Sequence, residues 1–363
     1  MLVFFNKKSL LDKVNACLQA NDSTNVVVKL INNKAISIDK NNATIKIILP
    51  FYAPIWLGNL QVDCADKLEK IFNKPISWQI THQVATLQND SSKSPLPKVK
   101  NIIVVASGKG GVGKSTVSVN LALALAENGA KVGVLDADIY GPSIPTMLGV
   151  SGAQPASKDG KLMLPIEAHG IVCNSIGFLV AEEDAMVWRG PMASKALTQV
   201  IKETDWPELD YLVVDMPPGT GDIQLTMTQN MPVTSAVVVT TPQDIALIDA
   251  KKGITMFNKV AVNVAGIVEN MSLYACTQCG HEEAIFGTGG GKKLAEKFSL
   301  PFLGALPLHI KYREDTDQGT PTVVKGDNDT LSAPFLSLAE TLAISLYRDL
   351  NVALAEINIT NLS

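Results

Sequence analysis

The sequence predicts an α/β protein: a doubly wound, mostly parallel sheet preceded by a small α/β domain. Three observations carry that reading. Apolar runs without polar alternation recur after residue 100, at 102–106, 131–135, 211–214, 236–239 and 262–268. Strands of that composition are buried on both faces, as in a parallel sheet. Helix-length segments lie between or after them, at 115–128, 191–202, 222–230, 243–258 and 290–298, and such alternation makes a doubly wound domain. Finally, the polar stretch QNDSSKSPLPKVK, ending at residue 100, contains proline and has no apolar period, which marks a linker.

The elements before the linker follow in order. Residues 8–20 are expected to be helical, with Leu10, Leu11, Val14 and Leu18 on one face. Strand-like runs at 34–39 and 43–49 flank a polar turn at Asn41–Asn42. A helix pattern covers about 57–72, and 76–84 reads as a strand. The expected organisation is therefore a small domain at 1–86, a linker at 87–100 and a larger domain at 101–363, whose last helix spans about 331–350. No internal repeat is visible.

Composition narrows the function classes. The chain has 363 residues, of which 46% are apolar and 18% charged, enough for a real core and against wholesale disorder. Lys and Arg number 31 and Asp and Glu 35, giving a net charge of -4. A protein that coats nucleic acid would be far more basic, so no nucleic-acid partner is expected. The balance is uneven: residues 1–100 carry +6 and residues 101–363 carry -10. Solvated lysines, or docking of the front domain on an acidic surface, would each account for this. No apolar run reaches the ~18 residues that cross a bilayer, and the start, MLVFFNKKSLLDK, does not read as a secretory signal. A cytoplasmic protein with reduced thiols is expected, with no membrane partner. Its five cysteines are Cys17, Cys64, Cys173, Cys276 and Cys279, an odd, sparse set rather than a disulfide framework.

Residues 108–115, GKGGVGKS, fit the phosphate-loop pattern G-x-x-x-x-G-K-S/T, with a strand before and helix formers after. The larger domain is therefore expected to be a P-loop NTPase domain. Gly108, Gly110, Gly111 and Gly113 let the backbone curl so that amides, including those of Lys109, Val112 and Thr116, face phosphate oxygens. The helix N-terminus adds the positive end of its dipole. Lys114 would reach the β- and γ-phosphates of ATP, and the Ser115 hydroxyl would hold Mg²⁺. Asp215 closes the apolar run YLVVD and is the expected acidic partner of that Mg²⁺. Asp136 and Asp138 end the 131–135 strand and would serve the site or cap the next turn. Asp222, in PPGTGD, is either a switch residue or a helix cap.

Cys276-Thr-Gln-Cys279 precedes Gly280-His281. Two thiolates at this spacing can grip a metal or cluster, but zinc or a four-iron four-sulfur cluster wants four ligands. There is no second CxxC. The simplest solution is a homodimer in which each subunit supplies Cys276 and Cys279. Interface zinc, a redox pair and unliganded thiols stay open, because spacing alone does not separate iron from zinc.

The KGGxGK form resembles the deviant phosphate loop of the MinD/ParA superfamily. That resemblance implies a nucleotide-bridged homodimer in which Lys109 reaches the partner's nucleotide, with Asp138 orienting the attacking water. An exposed lysine is the bland alternative for Lys109. More specifically, GKGGVGKST, LDADIYGPS, WRGPM at 188–192, LDYLVVDMPPGTGD at 209–222, VENMS at 268–272, CTQCGH and IFGTGGGKKLA at 285–295 occur in this order. Together they look like the Mrp/ApbC iron–sulfur carrier ATPases, over residues 101–325. The family implies an ATP hydrolase of slow turnover that holds a four-iron four-sulfur cluster between two subunits. It would receive the cluster from an assembly scaffold and deliver it to apo iron–sulfur proteins. It also implies that Asn270 reads adenine. Residues 1–86 resemble, more weakly, the small domain that often precedes this ATPase, without its cysteine or Asp-Pro-Glu; no metal is assigned there. Two other readings are a MinD-like positioning ATPase and a zinc-clamped targeting ATPase. The first would want a basic amphipathic C-terminal helix, whereas 331–363 has only Arg348 as a base. The second would want a Met-rich insertion between the motifs, which is not evident.

Overall fold

A computed structural model describes residues 9–88, 96–157, 160–179, 190–326 and 329–353. Residues 89–95 of the expected linker, and Trp188 and Arg189 of the WRGPM motif, lie outside these.

Ser9 starts α1 (Leu10–Ala20) through a capping box: its hydroxyl accepts from the Asp12 amide at 3.1 Å, and Asp12 Oδ2 accepts from the Ser9 amide at 2.9 Å. The next helix, α2 (Val26–Asn32), has no counterpart in the sequence reading, because three successive valines disfavour helix. Tertiary contacts override that preference. Asp22 accepts from the Val27 amide at 2.8 Å, and Val26, Val27 and Leu30 are buried. Strand β1 (Ile36–Asp39) pairs antiparallel with β2 (Thr44–Leu49). In β2, Ile45, Ile47 and Leu49 are buried while Lys46 and Ile48 are exposed, the period of a one-sided sheet. Helix α3 (Pro54–Phe72) opens on proline, whose missing N–H costs nothing in the first turn, and β3 (Ser77–His82) then pairs parallel with β2.

The second sheet begins with β4 (Val99–Ser107), followed by α4 (Lys114–Glu127), β5 (Val132–Asp136), the short α5 (Ile144–Met147), β6 (Ile166–Ala168), β7 (Ile171–Ser175) and α6 (Gly190–Lys202). The chain continues through β8 (Leu209–Asp215), α7 (Asp222–Asn230), β9 (Ser235–Thr240), α8 (Asp244–Lys259) and β10 (Val264–Glu269). A two-residue-per-strand hairpin, β11 (Tyr274–Ala275) and β12 (Glu282–Glu283), precedes α9 (Gly290–Phe298) and β13 (Phe302–Ala305). Helices α10 (Ile310–Asp317), α11 (Thr322–Lys325) and α12 (Asp329–Asp349) complete the fold. The eight strands run in the order β13-β10-β9-β4-β8-β5-β7-β6, all parallel except β6 on β7. The five strands expected from apolar runs are its interior; β6, β7 and β13 are short strands toward the two edges, and their sequences lack such runs.

Alternate residues of β4 serve opposite faces. Ile103 and Val105 join one apolar core, and Ile102, Val104 and Ala106 the other. Helix α4 is buried nearly all round, packed between the sheet and α12. Leu338, Leu342 and Leu346 of α12 are buried, as a core face should be. The front segment shares this core: Leu68 and Val134 belong to one continuous apolar cluster. Polar contacts fix the joint. Glu340 of α12 accepts from the Ile55 and Trp56 amides at 2.7 and 2.9 Å, capping α3 from another element. The Lys29 ammonium donates to the Tyr347 carbonyl at 2.5 Å and to that of Leu350, closing the C-terminus of α12.

Glu340→Ala leaves two amide donors of α3 without their acceptor. It is expected to cost about 2 kcal/mol, read as a lower urea midpoint at unchanged slope. Glu340→Gln should recover part of the loss.

Candidate nucleotide site and cysteine hairpin

The phosphate loop joins β4 to α4 at the carboxyl ends of the central strands, where open α/β sheets place their ligands. Its glycines are there for stated steric reasons. Gly111 and Gly113 have φ of 81° and 80°, left-handed values that a side chain would strain. A Cβ on Gly108 would stand 2.1 Å from the Asp249 backbone, and one on Gly113 would stand 2.3 Å from Asn270 Nδ2. The loop borders a cavity of about 220 Å³ lined by Gly110, Gly111, Lys114, Ser115, Thr116 and Asp138, among others. Ser143, Met147 and Pro218 complete its wall and were not singled out in the sequence.

Asp215 is the hub. It is fully buried, and β-sheet register sets it directly beside Asp136 and Val105. Its Oδ2 lies 2.7 Å from the Lys114 ammonium and accepts from the Ser115 hydroxyl at 2.6 Å. Its Oδ1 accepts from Ser118 at 2.6 Å. Ser118 was missed in the sequence; it lies one turn after Lys114, so helical spacing from the loop lysine was the available signal. A serine hydroxyl beside a carboxylate is a hard-oxygen donor set, which suits Mg²⁺.

Asp138 lies 3.9 Å from the Lys114 ammonium. Burial pushes its carboxyl up, opposed by that ammonium. Asp136 is buried completely. Its oxygens accept from the Asp138 and Ile144 amides at 3.1 and 3.0 Å and from Ser175 at 3.2 Å. Burial, and secondarily the Asp215 charge, push it up to about 7. Of the two uses left open for Asp136, its contacts are those of a carboxylate that braces the next turn. Helix α7 begins at Asp222 with Gly221 as its cap residue. Asn270 does not line the cavity; its Nδ2 donates to the Val112 carbonyl at 2.8 Å, tying β10 to the phosphate loop. Lys109 is half-buried, and among the described residues no carboxylate pairs with it.

The cysteines sit elsewhere, on the turn between β11 and β12. Cys276 is half-exposed and Cys279 exposed, while Cys17, Cys64 and Cys173 are buried. The Cys276 amide donates to the His281 carbonyl at 2.9 Å, and the Gly280 amide to the Cys276 carbonyl at 2.8 Å, closing the turn. Hydrogen bonds from the Gln278 and Cys279 amides, then from Cys279 itself, hold the Cys276 thiol below its ordinary range. That favours the thiolate, the form that ligates metal. His281 is exposed, and among the described residues no group of three or more His, Cys, Asp or Glu gathers as a metal site. One chain therefore presents two thiols and no further donor set there.

The family described as ParA, NUBPL iron-transfer P-loop NTPase, matches residues 98–343. The chain is 59% identical over 304 residues to the "Iron-sulfur cluster carrier protein" of Escherichia coli K12, covering 84% of this chain and 82% of that one. It is 51% identical over 249 residues to mouse "Iron-sulfur cluster transfer protein NUBPL", covering 68% and 78%. Among solved structures, a nucleotide-binding protein from Archaeoglobus fulgidus, in complex with ADP and with cobalt found in it, superposes with a TM-score of 0.56 at 38% identity. That match covers 62% of this chain and 88% of the other. A phosphate loop backed by a buried acid on a mostly parallel sheet agrees with the family match: the chain belongs to the ParA/NUBPL iron-transfer family of P-loop NTPases.

Proposed function

We propose that this chain is an ATP-dependent iron–sulfur cluster carrier that works as a homodimer. Each subunit would give Cys276 and Cys279 to one four-iron four-sulfur cluster, the cargo, which passes to apo iron–sulfur proteins. The observation that carries this reading is the division within one chain. A phosphate loop is braced by buried Asp215, and a two-thiol turn stands outside it, where among the described residues no third His, Cys, Asp or Glu completes a metal site. The names of the bacterial and mouse relatives support a carrier role.

The residues divide the work as follows. Lys114, Ser115 and the loop amides bind the phosphates of ATP. Ser115 and Asp215 would hold Mg²⁺, which neutralises charge on the phosphate oxygens. Asp138, on the cavity wall, orients the attacking water. Lys109, which no carboxylate pairs among the described residues, reaches the nucleotide of the partner subunit and stabilises its developing charge. The Asn270 side-chain oxygen accepts from the adenine amino group while its nitrogen holds Val112. Turnover is slow, set by the closing and opening of the dimer. Among the described residues no helix is long and apolar enough to cross a membrane, and we assign no membrane or nucleic-acid partner. A reducing cytoplasm, with a cluster-assembly scaffold as donor, suits exposed thiols of this kind.

Anaerobic reconstitution with iron and sulfide should give broad visible absorbance and about two irons per chain in a dimer. Cys276→Ala should lose both. Stoichiometric zinc with no iron would instead make the chain a zinc-clamped ATPase. Lys114→Ala should weaken ATP binding by roughly 100-fold or more, read by nucleotide titration, while cluster content stays near wild type. Loss of the cluster with retained ATPase activity would overturn this division of labour.

A further inference from the structure

The two halves of the proposed site meet at one dipeptide at the end of β10. Successive residues of an extended strand point to opposite sides. Asn270 turns toward the phosphate loop and bonds the Val112 carbonyl. Glu269 turns toward the glycine triplet that follows the cysteine turn. Its Oε1 accepts from the Gly289 amide at 3.0 Å and its Oε2 from the Gly291 amide at 2.6 Å. The residue is 1% exposed, and among the described residues no lysine or arginine pairs with it. A buried carboxylate is thus held by backbone amides at the start of α9, where the helix dipole adds to the attraction.

The geometry at each position of the triplet favours glycine. Gly289 takes φ of 75°. A Cβ on Gly290 would stand 2.7 Å from the Pro242 carbonyl oxygen, and one on Gly291 would stand 3.0 Å from Glu269 Cβ. The segment between, 271–288, carries Cys276 and Cys279. Its outgoing arm is tied to the sheet side: the Ser272 amide donates to the Leu306 carbonyl at 3.0 Å, and the Leu308 amide to that of Leu273 at 2.7 Å. The returning arm reaches the end of β10 through Glu269.

We propose that Glu269 is a positioning residue that closes the neck of the cysteine loop and, through the Glu269–Asn270 peptide, couples the phosphate loop to Cys276 and Cys279. Nucleotide drawn onto the loop amides moves the Val112 carbonyl, and Asn270 follows it. The dipeptide is bonded laterally by Asn270 N–H to the Thr240 carbonyl at 2.7 Å and by the Leu306 N–H to the Glu269 carbonyl at 2.8 Å. It therefore shifts as a unit with the strand ends, and Glu269 carries that shift to the returning arm. This inference rests on the reading of residues 108–116 as a nucleotide site and 276–279 as the cargo site, so its test is read on the thiols alone.

Cys17, Cys64 and Cys173 are buried, so a thiol reagent such as dithionitrobenzoate reads Cys276 and Cys279 in the native, cluster-free chain. In wild type, Mg²⁺ with a non-hydrolysable ATP analogue should change the modification rate by about five-fold or more. Glu269→Gln keeps the size but turns an NH₂ toward one glycine amide. It should cut the nucleotide effect to within about two-fold while ATP affinity stays within about three-fold of wild type. A full nucleotide effect in Glu269→Gln overturns the role of Glu269. Tight ATP binding with no effect on the wild-type thiols overturns the coupling and leaves the carrier reading intact; failure to bind ATP or iron at all defeats that reading instead. If Glu269→Gln does not fold, hydrogen exchange on wild type decides. The Gly289 and Gly291 amides should be protected and change their exchange with nucleotide, and free exchange at both overturns the contact.

Discussion

The constraint on which the rest of the molecule depends is the burial of Asp215. A carboxylate wholly removed from water is tolerable only when each oxygen is paired. The chain meets that demand with Lys114, Ser115 and Ser118, three residues of the first turns of α4. Bringing α4 to that point forces the preceding loop into its tight curl, with left-handed glycines and backbone too close to Asp249 and Asn270 for any side chain. The parallel register of β4, β8 and β5 then sets Asp136 level with Asp215. Two acids side by side in a dry site cannot both ionise freely, and Asp136 is the one pushed up, its oxygens occupied by amides and Ser175.

What could be read from the residues alone was what is local. The phosphate loop is a contiguous pattern whose chemistry is fixed by spacing, and the apolar runs announce interior strands before any contact is known. Asp215 was legible because it closes such a run. Helix α2 was not, since its valines argue for strand and only Asp22 and the neighbouring core make it helical. Strands β6, β7 and β13 were not, since they are short and their pairing comes from neighbours distant in sequence. Ser118 had only its helical spacing from Lys114 as a signal and Glu269 had none, since their partners lie about a hundred and about twenty residues away. Asn270 was singled out for adenine, and the bond the fold shows for its side chain is the one to the Val112 carbonyl.

The charge asymmetry between the first hundred residues and the rest left two accounts, solvated lysines or docking of the front segment on an acidic surface. The structure gives the joint a different physical character. The front segment shares an apolar core with α4 and α12, and the charged groups at the seam act as helix caps. Lys29 meets carbonyl oxygens at the end of α12, and Glu340 meets amides at the start of α3. Each charge thus offsets a helix dipole and satisfies orphan backbone groups. The remaining lysines are not needed to explain why the two parts adhere.

The two candidate sites make opposite demands, and the fold meets them in different places. Phosphate chemistry wants fixed dipoles in a water-poor pocket, and the acids and Lys114 lie within the sheet ends. A cargo that must be handed on wants exposed ligands on a segment of low local stability, and Cys276 and Cys279 sit on a short hairpin outside the core. Coupling between sites separated in this way is carried by rigid elements and by chains of packed and hydrogen-bonded groups. β10 is such an element: its length is buried between β9 and β13, and the Glu269–Asn270 pair at its end turns one side chain toward each site. The buried charge of Glu269 is what makes the second attachment firm, because its two amide bonds cannot be exchanged for water without exposing the end of the strand.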